Sequence, residues 1–139
     1  MRVLNKNKKS AWIQPIELLT HNRIDIVYKL LYVIYNKILP EFSYEIYKQH
    51  LSIITNGLFK ETDQEKKGLD SYIKSFNQVL KSINNNGFDS NISSVPLSNR
   101  HSVINGAHRV AASIYLNKKV FCTNTSNPIS IYNYKYFKD

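Results

Sequence analysis

The stretch VINGAHRVAA, residues 103–112, contains the strongest structural signal in this chain of 139 residues. A short apolar run ends at Asn105-Gly106 and helix-forming residues follow at once, so the stretch predicts a strand that passes directly into a helix. The first turn of a helix offers unpaired N–H groups and the positive end of the helix dipole, which together favour a bound anion. Gly106 would let such a ligand approach the backbone closely.

Two basic residues, His108 and Arg109, fall in the first turn of this predicted helix. Positive side chains there oppose the helix dipole and lower the stability of the helix. The same placement suits a phosphate group, because arginine binds phosphate through two N–H donors and histidine adds a further donor. The residues themselves leave two interpretations open, a phosphate site or a solvated turn that happens to contain a His-Arg pair.

Outward from this stretch, the spacing of apolar residues predicts a single domain of α+β class. Helices are predicted over residues 23–39, 42–54, 69–83 and 107–116. Strands are predicted over residues 11–19, 92–97, 101–104 and 120–123. We expect a flexible basic N-terminus at 1–11, a domain at 12–124 with a helical insert at about 40–84, and a tail or extension at 125–139.

Several classes of protein are excluded by composition. The single cysteine, Cys122, rules out an internal disulfide and any cysteine-based zinc or iron–sulfur site within one chain, and we expect it to be a buried core thiol. The sequence has no apolar run of about 18 residues, so it predicts no membrane span, and the N-terminus lacks the apolar stretch typical of a secretory signal. A cytoplasmic location is therefore expected.

The formal net charge is +9, from 19 Lys and Arg against 10 Asp and Glu. Of these basic residues 15 are Lys and only 4 are Arg, and Asn, Ile and Tyr are also frequent. This bias is typical of an AT-rich genome, so the charge alone predicts only nonspecific contact with nucleic acid.

The stretch INGAHRVAA, residues 104–112, resembles the Asp-Gly-His-His-Arg-x-x-Ala box of the ParB/sulfiredoxin-like superfamily. In that superfamily the box holds the phosphates of a nucleotide, and its members include the CTP-binding ParB partition proteins, sulfiredoxin, and ATP- or ADP-dependent kinases of free serine. The resemblance is specific over residues 92–122 and looser over 12–39. It implies a ParB/sulfiredoxin-like nucleotide-binding domain that uses ATP, or another nucleotide, with Mg²⁺.

Departures from the box discriminate among these members. Ala107 stands where sulfiredoxin has its reactive cysteine, which argues against a sulfiredoxin reaction. Asn105 stands in place of the usual Asp, so a role for that carboxylate is lost. Only 30 residues follow Arg109, too few for the helix-turn-helix domain that partition proteins carry there.

A narrower resemblance adds two further elements, an Arg-x-Asp-x-x-x-Lys pattern at residues 23–29 and the turn NGFD at 86–89. Together with the box they resemble ParB-like proteins of bacterial capsule and O-antigen gene clusters. That resemblance implies a kinase or phosphate-transfer enzyme acting on a small hydroxyl compound, a precursor of a surface polysaccharide.

Site residues follow from the resemblance. It implies nucleotide contacts from Arg23, Lys29, Asn105, Gly106, Ala107, His108 and Arg109. Asp25, Glu17 and Asp89 are the candidates for the catalytic base, and Asp25 is also the candidate metal ligand. Two structural alternatives stay open: Asp25 and Lys29 have the i, i+4 spacing of a surface ion pair, and Asp89 could cap its own turn.

Three functions are therefore carried forward. The first is an ATP-dependent phosphotransferase, whose partners are a nucleotide and a small-molecule substrate. The alternative is a stand-alone ParB-like nucleotide-binding module that associates with DNA, or a nuclease. The third is a non-catalytic accessory domain that acts through a partner protein.

Overall fold

The computed structural model describes residues 9–58, 68–129, 131–133 and 135–137. Within this part of the chain the α+β prediction is confirmed, with a small mixed sheet and four α-helices. The strands are β1 (Ser10–Ile13), β2 (Val95–Leu97) and β3 (Val120–Asn124). The helices are α1 (Ile24–Tyr35), α2 (Pro40–Ile54), α3 (Leu69–Asn86) and α4 (Ala107–Leu116). A short 3-10 helix, Pro15–Leu18, lies between β1 and α1.

The sheet has the strand order β1-β3-β2, so β3 is its central strand. Strand β3 pairs antiparallel with β1 and parallel with β2, and Cys122 on β3 lies opposite both Ala11 and Val95. This central position buries Cys122 completely and raises the pKa of its thiol to about 12, mainly through burial. The expectation of a core thiol is confirmed, because a thiol that stays protonated is a poor nucleophile.

The helices enclose one hydrophobic core. Helix α1 packs against α2 and α4, and α3 packs against α4. In α3 the buried side chains of Tyr72, Phe76 and Ile83 recur at helical spacing, so one face of that helix points to the core. Helices α2 and α3, which form most of the predicted helical insert, therefore belong to the packed domain rather than standing apart from it.

Several predicted boundaries were wrong in detail. The strand expected over 11–19 ends at Ile13, because Pro15 starts a 3-10 helix. Proline is tolerated as the first residue of a helix, since the N–H that it lacks would have no partner within the helix there. Helix α1 ends at Tyr35 rather than at 39, and Pro40 begins α2 in the same way. The strand expected over 92–97 is shorter, with only Val95–Leu97 in the ladder.

The strand predicted over 101–104 is wrong. A tight turn occupies this region: the Ser98 N–H donates to the Ser102 carbonyl at 2.7 Å, and His101 has a positive φ of 59°. One antiparallel bridge between Leu97 and Val103 is all the pairing that remains. The turn nevertheless returns the chain to the end of β2 just before α4 begins.

A flexible N-terminus was predicted at 1–11, and residues 125–139 were predicted to form either a tail or an extension of the domain. Residues 1–8 lie outside the described part, whereas β1 already begins at Ser10. At the other end, the Ile24 N–H donates to the Tyr132 carbonyl at 2.7 Å, and the Tyr132 N–H donates to the Asn22 carbonyl at 2.6 Å. The C-terminal segment is thus anchored beside the start of α1. Among the described residues, no helix combines the length and apolarity that crossing a bilayer requires.

Candidate functional site

The candidate site is built around the first turn of α4. Gly106 precedes this helix with φ 100° and ψ 25°, a left-handed conformation that glycine adopts without strain. Its N–H donates to the side-chain Oδ1 of Asn105 at 2.8 Å, which fixes the approach of the chain to the helix. Gly106 has no side chain that could cap the following N–H groups, so the positive end of α4 is open to an anionic ligand.

Arg109 holds this helix start against the segment that precedes β2. Its Nη1 donates to the Ser93 hydroxyl at 2.8 Å and to the Ser94 carbonyl at 3.2 Å, and its Cζ lies 5.9 Å from the centre of the Phe88 ring. The guanidinium also lies against Gly106, where an added Cβ would stand 2.7 Å from Nη2. Burial lowers the pKa of Arg109 from its usual value. Part of the Arg109 guanidinium, which was predicted to bind phosphate, therefore contacts and positions the backbone instead.

A buried ionic cluster lies close to the start of α4. It is formed by Asp25 and Lys29 of α1 and by Arg23, the residue before α1. Arg23, Asp25 and Lys29 are only 3%, 2% and 4% exposed. Arg23 donates to both Asp25 carboxylate oxygens, from Nε at 2.9 Å and Nη2 at 2.7 Å, and its Nη1 donates to the Val103 carbonyl. Lys29 Nζ lies 3.5 Å from Asp25 Oδ2. The alternative of a routine surface ion pair is therefore wrong.

The ionisation of Asp25 follows from this cluster. Burial acts to raise the pKa of its carboxyl group, but hydrogen bonding by Arg23 and the charges of Lys29 and Arg23 outweigh burial and lower the pKa from its usual value. Asp25 is therefore a carboxylate at neutral pH. Arg23 and Lys29 both contact this carboxylate, close to the start of α4.

A chain of hydrogen bonds connects the cluster to His108. Lys29 Nζ lies 3.3 Å from His50 Nε2, and His50 Nδ1 donates to the Tyr47 carbonyl at 2.6 Å. The Tyr47 hydroxyl and His108 Nε2 share a hydrogen bond of 2.9 Å. The His108 ring also packs edge-on against Phe76 at 4.7 Å. Residues of α2 and α3 therefore fix the orientation of a ring that the sequence placed in the phosphate site.

The surroundings of His50 keep its ring neutral. Complete burial is the main reason that its pKa lies well below the usual value, and the positive charge of Lys29 lowers it further. The hydrogen bond to Tyr47 and the charge of Asp25 act in the opposite direction but are weaker. Tyr28 stacks on the other side of the ring at 5.7 Å. Because Nδ1 carries the proton, Nε2 accepts the hydrogen bond from Lys29.

This neutral histidine predicts a pH dependence of stability. The unfolded chain binds a proton at His50 below pH about 6.5, whereas the folded chain resists it, so the free energy of unfolding should fall as the pH is lowered from 6.5. The limiting slope is about 1.4 kcal/mol per pH unit. Urea denaturation of the wild type and of His50→Leu between pH 7 and 5 measures it. Equal slopes for the two proteins would contradict the prediction.

A cavity of about 310 Å³ opens where these groups meet. Residues 104–107 form one part of its wall, and further lining residues are Arg23, Asp25, Lys29, His108, Arg109 and Tyr132. Three cationic side chains, Arg23, Lys29 and Arg109, thus line the cavity together with one carboxylate, that of Asp25. All seven residues predicted to contact the nucleotide line this one cavity. In the sequence, only the family resemblance had grouped them.

The predicted carboxylates are divided between different places. Asp25 lines the cavity, but Arg23 and Lys29 already contact its two oxygens. Glu17 lies on the 3-10 helix and lines neither this cavity nor the one beside it. Asp89 lines a second cavity of about 350 Å³, which also has Arg109 in its wall. Asp89 Oδ1 accepts the Asn91 N–H at 2.9 Å, as expected for a turn cap.

Mg²⁺ prefers oxygen ligands and usually binds through one or two carboxylates together with substrate phosphates. In the described residues no group of three or more His, Cys, Asp or Glu is placed to hold a metal ion. The oxygens of Asp25 are engaged by Arg23 and Lys29, and Asn105 Oδ1 accepts from Gly106. The residues lining the cavity do not fit a protein-held Mg²⁺, and Asp25 does not fit the metal role predicted for it.

Three residues of the site were missed or underestimated by the sequence. Tyr47, His50 and Tyr132 were not among the predicted site residues, and Tyr132 fell in the predicted tail or extension at 125–139. The Tyr47 and His50 pair did carry a signal, because two polar aromatic residues at i, i+3 lie on the apolar face of a helix. Tyr132 carried none, since its contact with Arg23 crosses more than a hundred residues of sequence.

Comparisons of the chain with protein-family models, with curated proteins and with solved structures found no match. The geometry and chemistry of this cavity are therefore the basis on which a function can be assigned.

Proposed function

We propose that this protein binds a nucleotide through its phosphates at the start of α4 and transfers the terminal phosphoryl group to a small hydroxyl compound. The nucleotide is ATP or a close relative, and any Mg²⁺ arrives bound to its phosphates as part of the substrate. Synthesis of capsule or O-antigen precursors is the proposed setting, in agreement with the resemblance of residues 23–29, 86–89 and 104–112.

The observation that carries this proposal is an excess of cations at a helix N-terminus inside a cavity. Arg23 and Lys29 are buried, and a buried cation is costly unless an anion compensates it. Both contact the Asp25 carboxylate. A phosphate in the cavity would add negative charge beside Arg23, Lys29 and Arg109, and the first N–H groups of α4 point to where it would bind. His108, held by Tyr47, adds a donor or a charge to the same wall.

A hydroxyl acceptor fits the second cavity best. Its wall combines hydroxyl and amide side chains with one carboxylate, Asp89, and it meets the phosphate cavity at Arg109. In the transfer step the acceptor oxygen attacks the terminal phosphorus, the bond from phosphorus to the bridging oxygen breaks, and a nucleoside diphosphate leaves. Asp89 takes the hydroxyl proton through Oδ2, because Oδ1 accepts the Asn91 N–H. Arg109 stabilises the transferring group between the two cavities.

Nucleotide binding provides the first test. Isothermal titration calorimetry with ATP, ADP and CTP in the presence of Mg²⁺ should show saturable binding to the wild type. Arg109→Ala should weaken that binding about tenfold, the value of one hydrogen bond to a charged group. The matched control is Arg100→Ala, which removes an exposed arginine that lines neither cavity and should leave the affinity unchanged.

The transfer step is tested by slow hydrolysis of the bound nucleotide, in which water replaces the acceptor. Asp89→Asn should bind ATP as the wild type does but release phosphate at least 100-fold more slowly, because general base catalysis contributes that much. Absence of nucleotide binding by the wild type would refute the proposal as a whole. Normal hydrolysis by Asp89→Asn would refute only the assignment of the base.

A further inference from the structure

Arg109 lies where the two cavities meet and contributes to the walls of both. None of the described carboxylates forms an ion pair with it. Its hydrogen-bond and cation–π partners are all uncharged, namely the Ser93 hydroxyl, the Ser94 carbonyl and the Phe88 ring. Such partners orient the guanidinium without neutralising it, so its positive charge stays available for a phosphate.

Ser93 ends a short turn that begins at Asp89, the proposed base. The Ile92 and Ser93 N–H groups both donate to the Asp89 carbonyl at 3.2 Å, and the Asn91 N–H donates to Asp89 Oδ1 at 2.9 Å. These bonds make the turn a single hydrogen-bonded unit. The Ser93 hydroxyl accepts from Arg109 Nη1 at 2.8 Å, so the same unit carries the base at one end and holds the guanidinium at the other.

The relative position of these two groups matters for phosphoryl transfer. The base must reach the attacking hydroxyl while the guanidinium contacts the phosphoryl group under attack. A donor that is fixed in advance stabilises the charge of the transition state without first reorganising. Its orientation matters less for binding of the nucleotide itself, because a more mobile arginine still attracts phosphate through its charge.

We propose that Ser93 is a positioning residue for this reaction, and that its hydroxyl holds the Arg109 guanidinium in a fixed relation to Asp89. This inference rests on the proposed function. Ser93 acts through Arg109 and does not contact the transferring group. Loss of the hydroxyl should therefore slow transfer at saturating nucleotide and leave the affinity for nucleotide nearly unchanged.

Removal of the hydroxyl tests this role in the slow hydrolysis of ATP. Ser93→Ala should release phosphate from saturating MgATP about tenfold more slowly than the wild type, the value of one hydrogen bond to a charged group, whereas its dissociation constant for MgATP should change by less than about threefold. Ser93→Thr keeps the hydroxyl and should hydrolyse MgATP at the wild-type rate.

Ser94→Ala is the matched control. Ser94 is the neighbouring serine and is also partly buried, but its hydroxyl accepts a hydrogen bond from Thr123 at 2.9 Å, and it contacts Arg109 only through its carbonyl. Its replacement therefore removes a comparable hydrogen bond from the same segment and leaves Arg109 in place. We expect the wild-type rate of phosphate release from this variant.

A double-mutant cycle shows whether Ser93 acts through Arg109. In the Arg109→Ala background, Ser93→Ala should not slow phosphate release further, because the guanidinium that it positions is already absent. Additive slowing would overturn the inference, since Ser93 would then act on Asp89 or on the fold.

The remaining outcomes separate this inference from the proposed function. If the wild type does not bind MgATP, or binds it without releasing phosphate, the proposed function fails and the inference falls with it. If the wild type hydrolyses MgATP, an unchanged rate in Ser93→Ala, an equal decrease in Ser94→Ala, or a loss of affinity as large as the loss of rate refutes only the positioning role. Should Ser93→Ala not fold, Ser93→Val is compared with Ser93→Thr, which has nearly the same shape and retains the hydroxyl, and equal rates overturn the inference.

Discussion

Replacing Arg23 by methionine is expected to lower the free energy of unfolding by about 3–5 kcal/mol, the usual cost of removing one partner of a buried ion pair. Methionine fills much of the same volume, so the cost arises from charge rather than from a cavity. The Asp25 carboxylate would lose two hydrogen bonds and the Val103 carbonyl would lose one, and both residues are buried. Urea denaturation at pH 7 measures the difference.

The matched control for this prediction is Arg100→Met, which removes an exposed arginine and should change stability by no more than about 0.5 kcal/mol. The pH provides a second check. With Arg23 present, the lowered pKa of Asp25 stabilises the fold above pH about 3.8, and this contribution is lost as the pH falls through the folded-state pKa. In Arg23→Met, burial raises the pKa of Asp25, so protonation near pH 4 removes the buried charge. The difference in the free energy of unfolding between this variant and the wild type should therefore become smaller towards pH 4. A deficit that is small, or constant with pH, would contradict the assignment.

The local signals in the sequence predicted α4 with accurate bounds. Gly106 and Asn117, which flank this helix, both have a positive φ, and glycine and asparagine are the residues that adopt such a conformation readily. The third helix was predicted to begin at residue 69, as observed, but its end was placed at 83, whereas the helix continues to Asn86 and Gly87 follows it with φ 71°. Helix ends that depend on backbone preferences of single residues can be recognised from sequence alone.

Burial of the ionic cluster could not be predicted in this way. The i, i+4 spacing of Asp25 and Lys29 is the same for a surface pair and for a buried one. What distinguishes them is the cover provided by His50 on α2, by Val103 before α4 and by Tyr132 near the C-terminus. These contacts join segments that are distant in sequence, and no local pattern encodes them.

The same limit applies to the carboxylates. The resemblance implied three candidate bases, Glu17, Asp25 and Asp89, without deciding among them. The structure separates them by their partners: Asp25 is engaged by Arg23, Glu17 lines neither cavity, and Asp89 lines the cavity that meets Arg109. Hydrogen-bond partners, rather than residue type, therefore decide which carboxylate has an oxygen available for a substrate proton.

Gly106→Ala is expected to weaken ATP binding about tenfold, as Arg109→Ala does, and to destabilise the fold by about 1–2 kcal/mol. The loss of stability comes from the backbone, because φ is +100° and a residue with a Cβ is strained in this conformation. The loss of binding has a second cause. The new Cβ would stand 2.7 Å from Arg109 Nη2 and must displace the guanidinium, which disturbs both the arginine and the first N–H groups of α4.

Gly57→Ala separates these two causes. Gly57 also has a positive φ, +79°, but nothing lies within 4 Å of the position that its Cβ would occupy. This variant should therefore lose a similar amount of stability and keep the ATP affinity of the wild type. Urea denaturation and calorimetry on the same preparations give both quantities, and equal ATP affinities for the two alanine variants would show that the contact with Arg109 is irrelevant to binding.

A double-mutant cycle with Arg109→Ala identifies the clash itself. If displacement of the guanidinium weakens binding, Gly106→Ala should cost much less affinity when Arg109 is already alanine, since the Cβ then meets no side chain. The stability cost should persist in that background, because backbone strain at Gly106 does not depend on Arg109. Additive effects on affinity would instead mean that the alanine acts on the helix N–H groups alone, and Arg109 would then not be the residue through which Gly106 shapes the phosphate site.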